Sequence, residues 1–464
     1  MLRAKWVVPA AGALIRDGAV LFSRDGIIAC GRASDVASRE LRERAQVMDL
    51  GDVLVTPGFI NVHTHLELSA MAGRLSGARG FVPWLQDLLR EWDAWTAEEQ
   101  AESVRRGVRE SVAAGASCVG QIAARPAADG VLTANGGIRA RVFHEVAGLR
   151  SEEAEERLRA ALERREAERQ GGQNDGNGLV QATPPAPSVP LVPSVPSVPA
   201  TRSENENENE DENENEDEDE KGEEWIRFGI SPHAPYSLSQ RLMRMCLDHA
   251  ARNREWICVH VAETREEEVF MKTGGGPLGD FLHSSGLLPD GWRAPQQRPI
   301  EYLAEMGLGR SPFLAAHANY ANAREIRWMA SRGVSVAFCP PSHRFFGHDP
   351  YPLQAMVEAG VNVCVATDSL ASSDTLDPLT ALREARPLWP ELPAEQWLAM
   401  ITANAARALG WADRLGALRR GMAADLLAFS VEAGCQRPLD RLLAGEAQLS
   451  GAWVGGRKTL GADG

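Results

Sequence analysis

The chain contains no CxxC pair, and its seven cysteines, at positions 30, 118, 246, 258, 339, 364 and 435, form an odd and scattered set. A disulfide-stapled frame is therefore excluded, and the pattern is that of a reduced, intracellular protein. No apolar run approaches the roughly 18 residues that span a bilayer, so no membrane partner is expected. Surplus positive charge is absent too: 49 Lys and Arg stand against 64 Asp and Glu, a net of −15. Residues 201–224 alone hold 14 acidic and 2 basic side chains, so the rest of the chain is nearly neutral. A nucleic-acid backbone has no basic face to meet here.

What is present is ordinary globular composition, 44% hydrophobic and 24% charged over 464 residues. That length fits two or three domains, or one large barrel with an appendage. The opening Met1-Leu2-Arg3-Ala4-Lys5, followed by apolar Trp6 to Ile15, imitates a secretory leader. The run is short, contains Pro9, and continues past Asp17-Gly18 into Ala19-Val20-Leu21-Phe22. Two β-strands joined by a turn are expected instead, in a cytoplasmic protein.

Residues 1–56 alternate short β-branched runs with Asp17-Gly18 and Asp25-Gly26, the pattern of a small antiparallel sheet. Residues 411–464 look similar, with short strands at Asp425–Phe429 and Gly451–Val454, so the two ends are expected to pair as one small β-sandwich domain. The middle, 57–410, repeats strand then helix. Its candidate strands are Ile60–His65, Ser117–Ile122, Arg139–Val146, Ile226–Ser231, Trp256–His260, Pro312–His317, Val334–Phe338 and Val361–Thr367. Amphipathic segments at Glu98–Ala114, Gln240–Asn253, Ala323–Ser331 and Leu353–Glu358 lie between them. Eight apolar strands alternating with helices predict an α/β fold, a (β/α)8 TIM-type barrel, whose chemistry sits at the carboxyl ends of the strands.

One segment interrupts the repeat. Ser151–Gln170 is a strong helix former, with Glu155 and Arg159 spaced for an i,i+4 pair. Residues 171–224 then turn Gly-, Pro- and Ser-rich and finally acidic, too poor in apolar area to offset the entropy of ordering. A disordered insertion between strands three and four is expected.

The chemical signal begins at Thr56-Pro57-Gly58-Phe59-Ile60-Asn61-Val62-His63-Thr64-His65. A strand repeats every two residues, so His63 and His65 leave its end on the same side, as a divalent metal such as zinc requires. Further donors follow other apolar strands: His260 after Trp256–Val259, His317 after Phe313–Ala316, and Asp368 after Val363–Thr367. Glu263 lies three residues past His260, ahead of Thr264-Arg265-Glu266-Glu267, which has the form of a helix capping box. Glu263 is thus free to act as general acid and base.

This set resembles the amidohydrolase superfamily, in the branch of chlorohydrolases and nucleoside deaminases, from Pro57-Gly58 to Gly421-Met422-Ala423-Ala424-Asp425-Leu426. The resemblance implies one divalent metal, zinc first with iron or manganese as alternatives, held by His63, His65, His260 and Asp368. It implies that His317 faces water and substrate, that Asp368 accepts the water's proton, and that Glu263 protonates a ring nitrogen before ammonia leaves. Strand four ends Ile230-Ser231-Pro232-His233, without the lysine of binuclear members, so a single ion is expected. Ser231–Tyr236 resembles the segment whose histidine, here His233, contacts substrate in adenosine-type deaminases. Pro83-Trp84-Leu85 resembles their pocket segment, and Glu67 and Glu145 are further pocket candidates. Near relatives read His-x-Pro-x-Ser-Asn after strand seven, where this chain has Phe338-Cys339-Pro340-Pro341-Ser342-His343, so His343 is a candidate for reshaping the pocket. The expected substrate is a small adenine-type nucleoside; a homo-oligomer is compatible with the sequence. Two other readings stand beside it: release of chloride or opening of a ring amide by the same water chemistry, and a barrel without turnover that serves as a binding protein.

Overall fold

The computed structural model describes residues 1–10, 14–36, 45–126, 130–132, 137–174 and 225–460. Nearly all of the acidic and Pro-rich insertion lies outside the described residues.

The barrel strands are β6 (Phe59–Thr64), β7 (Ala116–Ala123), β8 (Arg139–Val146), β9 (Ile226–Pro232), β10 (Ile257–Val261), β11 (Phe313–His317), β12 (Ser335–Phe338) and β13 (Asn362–Val365). They pair in parallel in chain order, and a bridge between Thr64 and Asp368 joins the last to the first. Most of their residues are buried on both faces, which is why they read as unbroken apolar runs rather than as alternation. β8 and β9 pair from Ala140–Ile226 to Val146–Pro232, although the whole insertion lies between them in sequence. The helix before the insertion, Ala154–Asn174, runs into its first residues. Arg159 in that helix pairs with Glu163 at 3.7 Å, while Glu155 reaches Arg241; the expected Glu155–Arg159 pair is replaced because a partner on the neighbouring helix Gln240–Asn253 is nearer.

The chain ends form a second sheet. Its members are β1 (Leu2–Val7), β2 (Ile15–Ser23), β3 (Gly26–Arg32), β4 (Met48–Asp49), β5 (Val53–Pro57), β14 (Leu426–Ser430), β15 (Gln448–Val454) and β16 (Arg457–Leu460). The order is β16-β15-β14-β5-β1-β2-β3, with β4 on β1, over a core including Leu2, Val20, Val55, Leu426 and Trp453. Asp25-Gly26 makes the expected turn, but Asp17-Gly18 lies inside β2, paired across from β1, so the first turn falls earlier. Gly58 carries the chain from this sheet into the barrel. A Cβ there would sit 2.4 Å from Ser117 Oγ, so only glycine permits the approach.

Candidate active site

His63 points from β6 into the barrel mouth and is wholly buried; His65 follows the strand's end. His260 lies on β10, His317 closes β11, His233 follows β9, and Asp368 comes three residues after β13. The ring centroids of His63 lie 5.1, 4.9 and 5.4 Å from those of His65, His260 and His317. His65 and His260 face each other Nε2 to Nε2 at 3.2 Å, and Asp368 Oδ1 is 3.7 Å from His63 Nε2 and 3.6 Å from His65 Nε2.

The backbone is bent to achieve this. Ala262, His317, Ala318 and Asp368 all take positive φ, between 50° and 68°, just where strands β10, β11 and β13 deliver their side chains. Non-glycine residues in that region carry about 1–3 kcal/mol of strain each, and such strain concentrates at functional sites.

The donor set fits a cation. His63 Nε2 is buried with no hydrogen-bond partner, an arrangement that costs roughly 1–3 kcal/mol unless something accepts its lone pair. The ring's other nitrogen lies 3.8 Å from Cys258 Sγ. His260 Nδ1 donates to the His233 carbonyl at 3.0 Å, leaving Nε2 free toward the cluster, the usual outer support of a metal-ligating imidazole. Burial pushes His63 and His260 well below the ordinary imidazole value and lowers His65, so all three are neutral ligands in waiting. Among the described residues, ligand atoms of His63, His65 and His260, and those of His63, His317 and Asp368, each fall within 4.8 Å of one another.

The two acids differ. Burial, followed by the charges of Asp368, Glu267 and Glu266, drives Glu263 well above the ordinary carboxyl value. Burial pushes Asp368 the same way, but His317, His65 and His63 outweigh it and hold it below its ordinary value. Ser372 Oγ donates to Asp368 Oδ2 at 2.9 Å. Glu263 is 3.7 Å from His317 Nε2, and burial takes His317 and His233 down to about 4. Thr264 caps the next helix as expected, accepting from Glu267 N–H at 3.0 Å. Glu267 in turn accepts the N–H of Glu263 at 2.8 Å, so the helix terminus holds the acid itself.

A cavity of about 210 Å³ opens over this cluster, bordered by His65, His233, His260, Glu263, His317 and Asp368 and by Glu145 and Trp84. Burial raises Glu145 to about 7. Trp84 Nε1 donates to Ala371 O at 3.0 Å, which fixes its ring on the wall. Two other candidates are turned away. Glu67 accepts the N–H groups of Ala124 and Arg125, at 2.8 and 3.4 Å, because the chain leaves β6 as a helical turn over Leu66–Met71 instead of continuing the strand. His343 sits in the short helix Pro340–Phe346 and donates to the Asp349 carbonyl at 2.9 Å, while Ser342 of that helix reaches Asp368.

Sequence reasoning missed the supports. Asn61 Nδ2 donates to Thr367 Oγ1 at 2.8 Å, tying β6 to the segment carrying Asp368. Its place two residues before His63, on the same strand face, was the available signal. Tyr351 donates to the His317 carbonyl at 3.0 Å and Asn319 to the Glu263 carbonyl at 2.9 Å; neither follows from local pattern.

A parallel barrel with a cluster of buried imidazoles and two buried acids shifted in opposite directions at its carboxyl end defines a metal-assisted hydrolase. Residues 54–457 match the amidohydrolase family, and the chain belongs to it. A 5-methylthioadenosine/S-adenosylhomocysteine deaminase from Syntrophobacter fumaroxidans is 28% identical over 426 residues, 88% of this chain and 79% of that one. The crystal structure of Helicobacter pylori aminofutalosine deaminase with methylthio-coformycin superposes with a TM-score of 0.77 at 20% identity, covering 99% of both chains. A zinc-bound adenosine deaminase from Xanthomonas campestris superposes at 0.73 with 22% identity, over 99% of this chain and 92% of that one. No helix among the described residues is long and apolar enough to cross a membrane.

Proposed function

We propose that this protein is a metal-dependent aminohydrolase that deaminates a small adenine-type nucleoside. The observation that carries the reading is the pair Glu263 and Asp368, bordering one cavity beside the histidine cluster in environments that shift the first above and the second below the ordinary carboxyl value. The names of the relatives support the substrate class.

In this reading His63, His65, His260 and Asp368 hold one divalent ion, zinc by analogy with the zinc-bound neighbour. When bound, the ion lowers the pKa of a water toward neutrality. Ionised Asp368 accepts the proton of the attacking water. Protonated Glu263 gives its proton to the ring nitrogen next to the amino-bearing carbon, which makes that carbon electrophilic. Neutral His317, 3.7 Å from Glu263, hydrogen-bonds the oxygen as charge develops. The new carbon–oxygen bond forms, the carbon–nitrogen bond breaks, and the amine leaves as ammonia after taking up a proton. His233, Glu145 and Trp84 contact the substrate from the cavity wall. The free state of all seven cysteines agrees with a reducing, cytoplasmic setting.

The test is ammonia release by the zinc-loaded protein on adenosine, 5′-deoxyadenosine, methylthioadenosine, S-adenosylhomocysteine and aminodeoxyfutalosine. Glu263→Gln should keep its metal and lose roughly 10²–10⁴-fold in kcat. Asp368→Ala should lose both metal and turnover. A fully active Glu263→Gln would remove Glu263 from the proton path.

A further inference from the structure

Cys258 is a buried thiol that the proposed chemistry leaves unused. It stands two residues before His260 on β10, so the two side chains leave that strand on the same face. Its surroundings are those of a small apolar residue, in one buried cluster with Ile122, Leu314 and Ala316. Yet its sulfur lies 3.8 Å from His63 Nδ1, within reach of a hydrogen bond to sulfur. Among the described residues no other hydrogen bond reaches that nitrogen.

A neutral imidazole has one proton for two nitrogens. For His63 Nε2 to offer a cation its lone pair, the proton must sit on Nδ1. The ring is wholly buried, so an Nδ1–H without an acceptor would be left unsatisfied. The proton would then do better on Nε2, aimed at Asp368 Oδ1 3.7 Å away, and two ligands would be lost together. A thiol sulfur carries the lone pair that prevents this. His260 meets the same need through the His233 carbonyl, 3.0 Å from its Nδ1. Strand β10 thus carries one ligand of the cluster and, two residues earlier, the acceptor for another ligand on β6. Resting on the metal-centre reading above but not on the nucleoside, we propose that Cys258 is a positioning residue for His63. Its sulfur accepts the Nδ1–H and so fixes the tautomer and ring orientation that turn Nε2 to the ion.

The experiment titrates the zinc-loaded, full-length protein with a chromophoric chelator to obtain the zinc Kd of wild type, Cys258→Val, Cys258→Ala and Cys258→Ser. Valine fills the space of the thiol and cannot accept, alanine leaves that space open, and serine keeps an acceptor. Losing the hydrogen-bond partner of a ligating histidine should raise Kd about 10–100-fold in Cys258→Val and Cys258→Ala. Cys258→Ser should hold zinc several-fold more tightly than either. Urea unfolding of the metal-free variants separates packing from positioning, because Cys258→Val and Cys258→Ala should differ in stability yet share the loss of zinc. In the metal-free wild type, imidazole nitrogen NMR, assigned against His63→Gln, should place the His63 proton on Nδ1. Wild-type affinity in both Cys258→Val and Cys258→Ala, a Cys258→Ser no tighter than Cys258→Ala, or a proton on Nε2 would each overturn this role for Cys258. A wild type that holds no zinc would overturn the metal centre and this role together. Failure of the nucleoside proposal would show separately, as a protein that binds zinc and releases no ammonia.

Discussion

Asp368 and Glu263 share a cavity but not a surrounding. Asp368 faces imidazoles and takes a hydrogen bond from Ser372, whereas Glu263 faces other acids in a buried setting. Each donor on Asp368 favours its ionised form, so removing one raises its pKa. Ser372→Ala should accordingly move the acid limb of the kcat/KM–pH profile to higher pH by about one unit, the shift equivalent to a hydrogen bond of ~1.4 kcal/mol. An unmoved acid limb would mean that Asp368 does not control it. On the basic side, activity should fall as Glu263 loses its proton, since a deprotonated carboxylate has nothing to give the ring. The same scale explains what could be read in advance. His63 and His65 were legible because a strand repeats every two residues, whereas Glu67 was a pocket candidate only through the family resemblance. The strand has ended before that residue, and a helical turn aims Glu67 at backbone N–H groups instead.

At the scale of elements, the helix Arg265–Thr273 anchors Glu263, the proposed general acid. Its Glu267 is buried, and burial raises it to about 8 against the pull of the backbone N–H groups that it accepts from. A carboxyl whose folded pKa is raised contributes stability that is full below its unfolded value and is lost as pH rises through its folded value. Glu267→Gln keeps an oxygen for the Glu263 N–H and does not titrate. The variant's Tm should therefore fall less than the wild type's by a few degrees between about pH 5 and pH 8. Parallel curves in thermal unfolding would show that Glu267 is not the titrating group. Helix boundaries were legible from local pattern: Gln240–Asn253 and Ala323–Ser331, capped by Ser239 and Asn322, and the uncapped Leu353–Glu358 stand as the sequence pattern predicts. Side-chain pairs between helices were not, as Glu155 choosing Arg241 over Arg159 illustrates.

At the scale of the molecule, the barrel is joined to the small sheet by an ion pair between Arg139, at the start of β8, and Asp425, just before β14, with side chains 1% and 4% exposed. Asp425 also accepts the Gly455 N–H at 2.8 Å. Removing one partner of a buried pair leaves an uncompensated charge, so Arg139→Met should cost about 3–5 kcal/mol in urea unfolding. Adding Asp425→Asn, which still accepts from Gly455, should recover part of that loss. The insertion makes the opposite prediction. Because β8 and β9 pair along their lengths across it, deleting residues 175–220 and rejoining through a short Gly/Ser linker should leave kcat/KM within a few-fold of wild type. A folded but inactive deletion variant would show that the segment shapes the site.

The sequence by itself determined the barrel, its eight strands and the histidines and acids that stand at their ends. Burial on both faces forces apolar runs, and a polar residue directly after such a run lies at a mouth. What only the tertiary structure decided is which donors meet, and in which protonation state. The 3.2 Å approach of His65 to His260, the hold of Asn61 on Thr367, and the opposite shifts of Glu263 and Asp368 arise between segments distant in sequence. Their burial and mutual charges come into being only when the barrel closes, and no local pattern of residues encodes them.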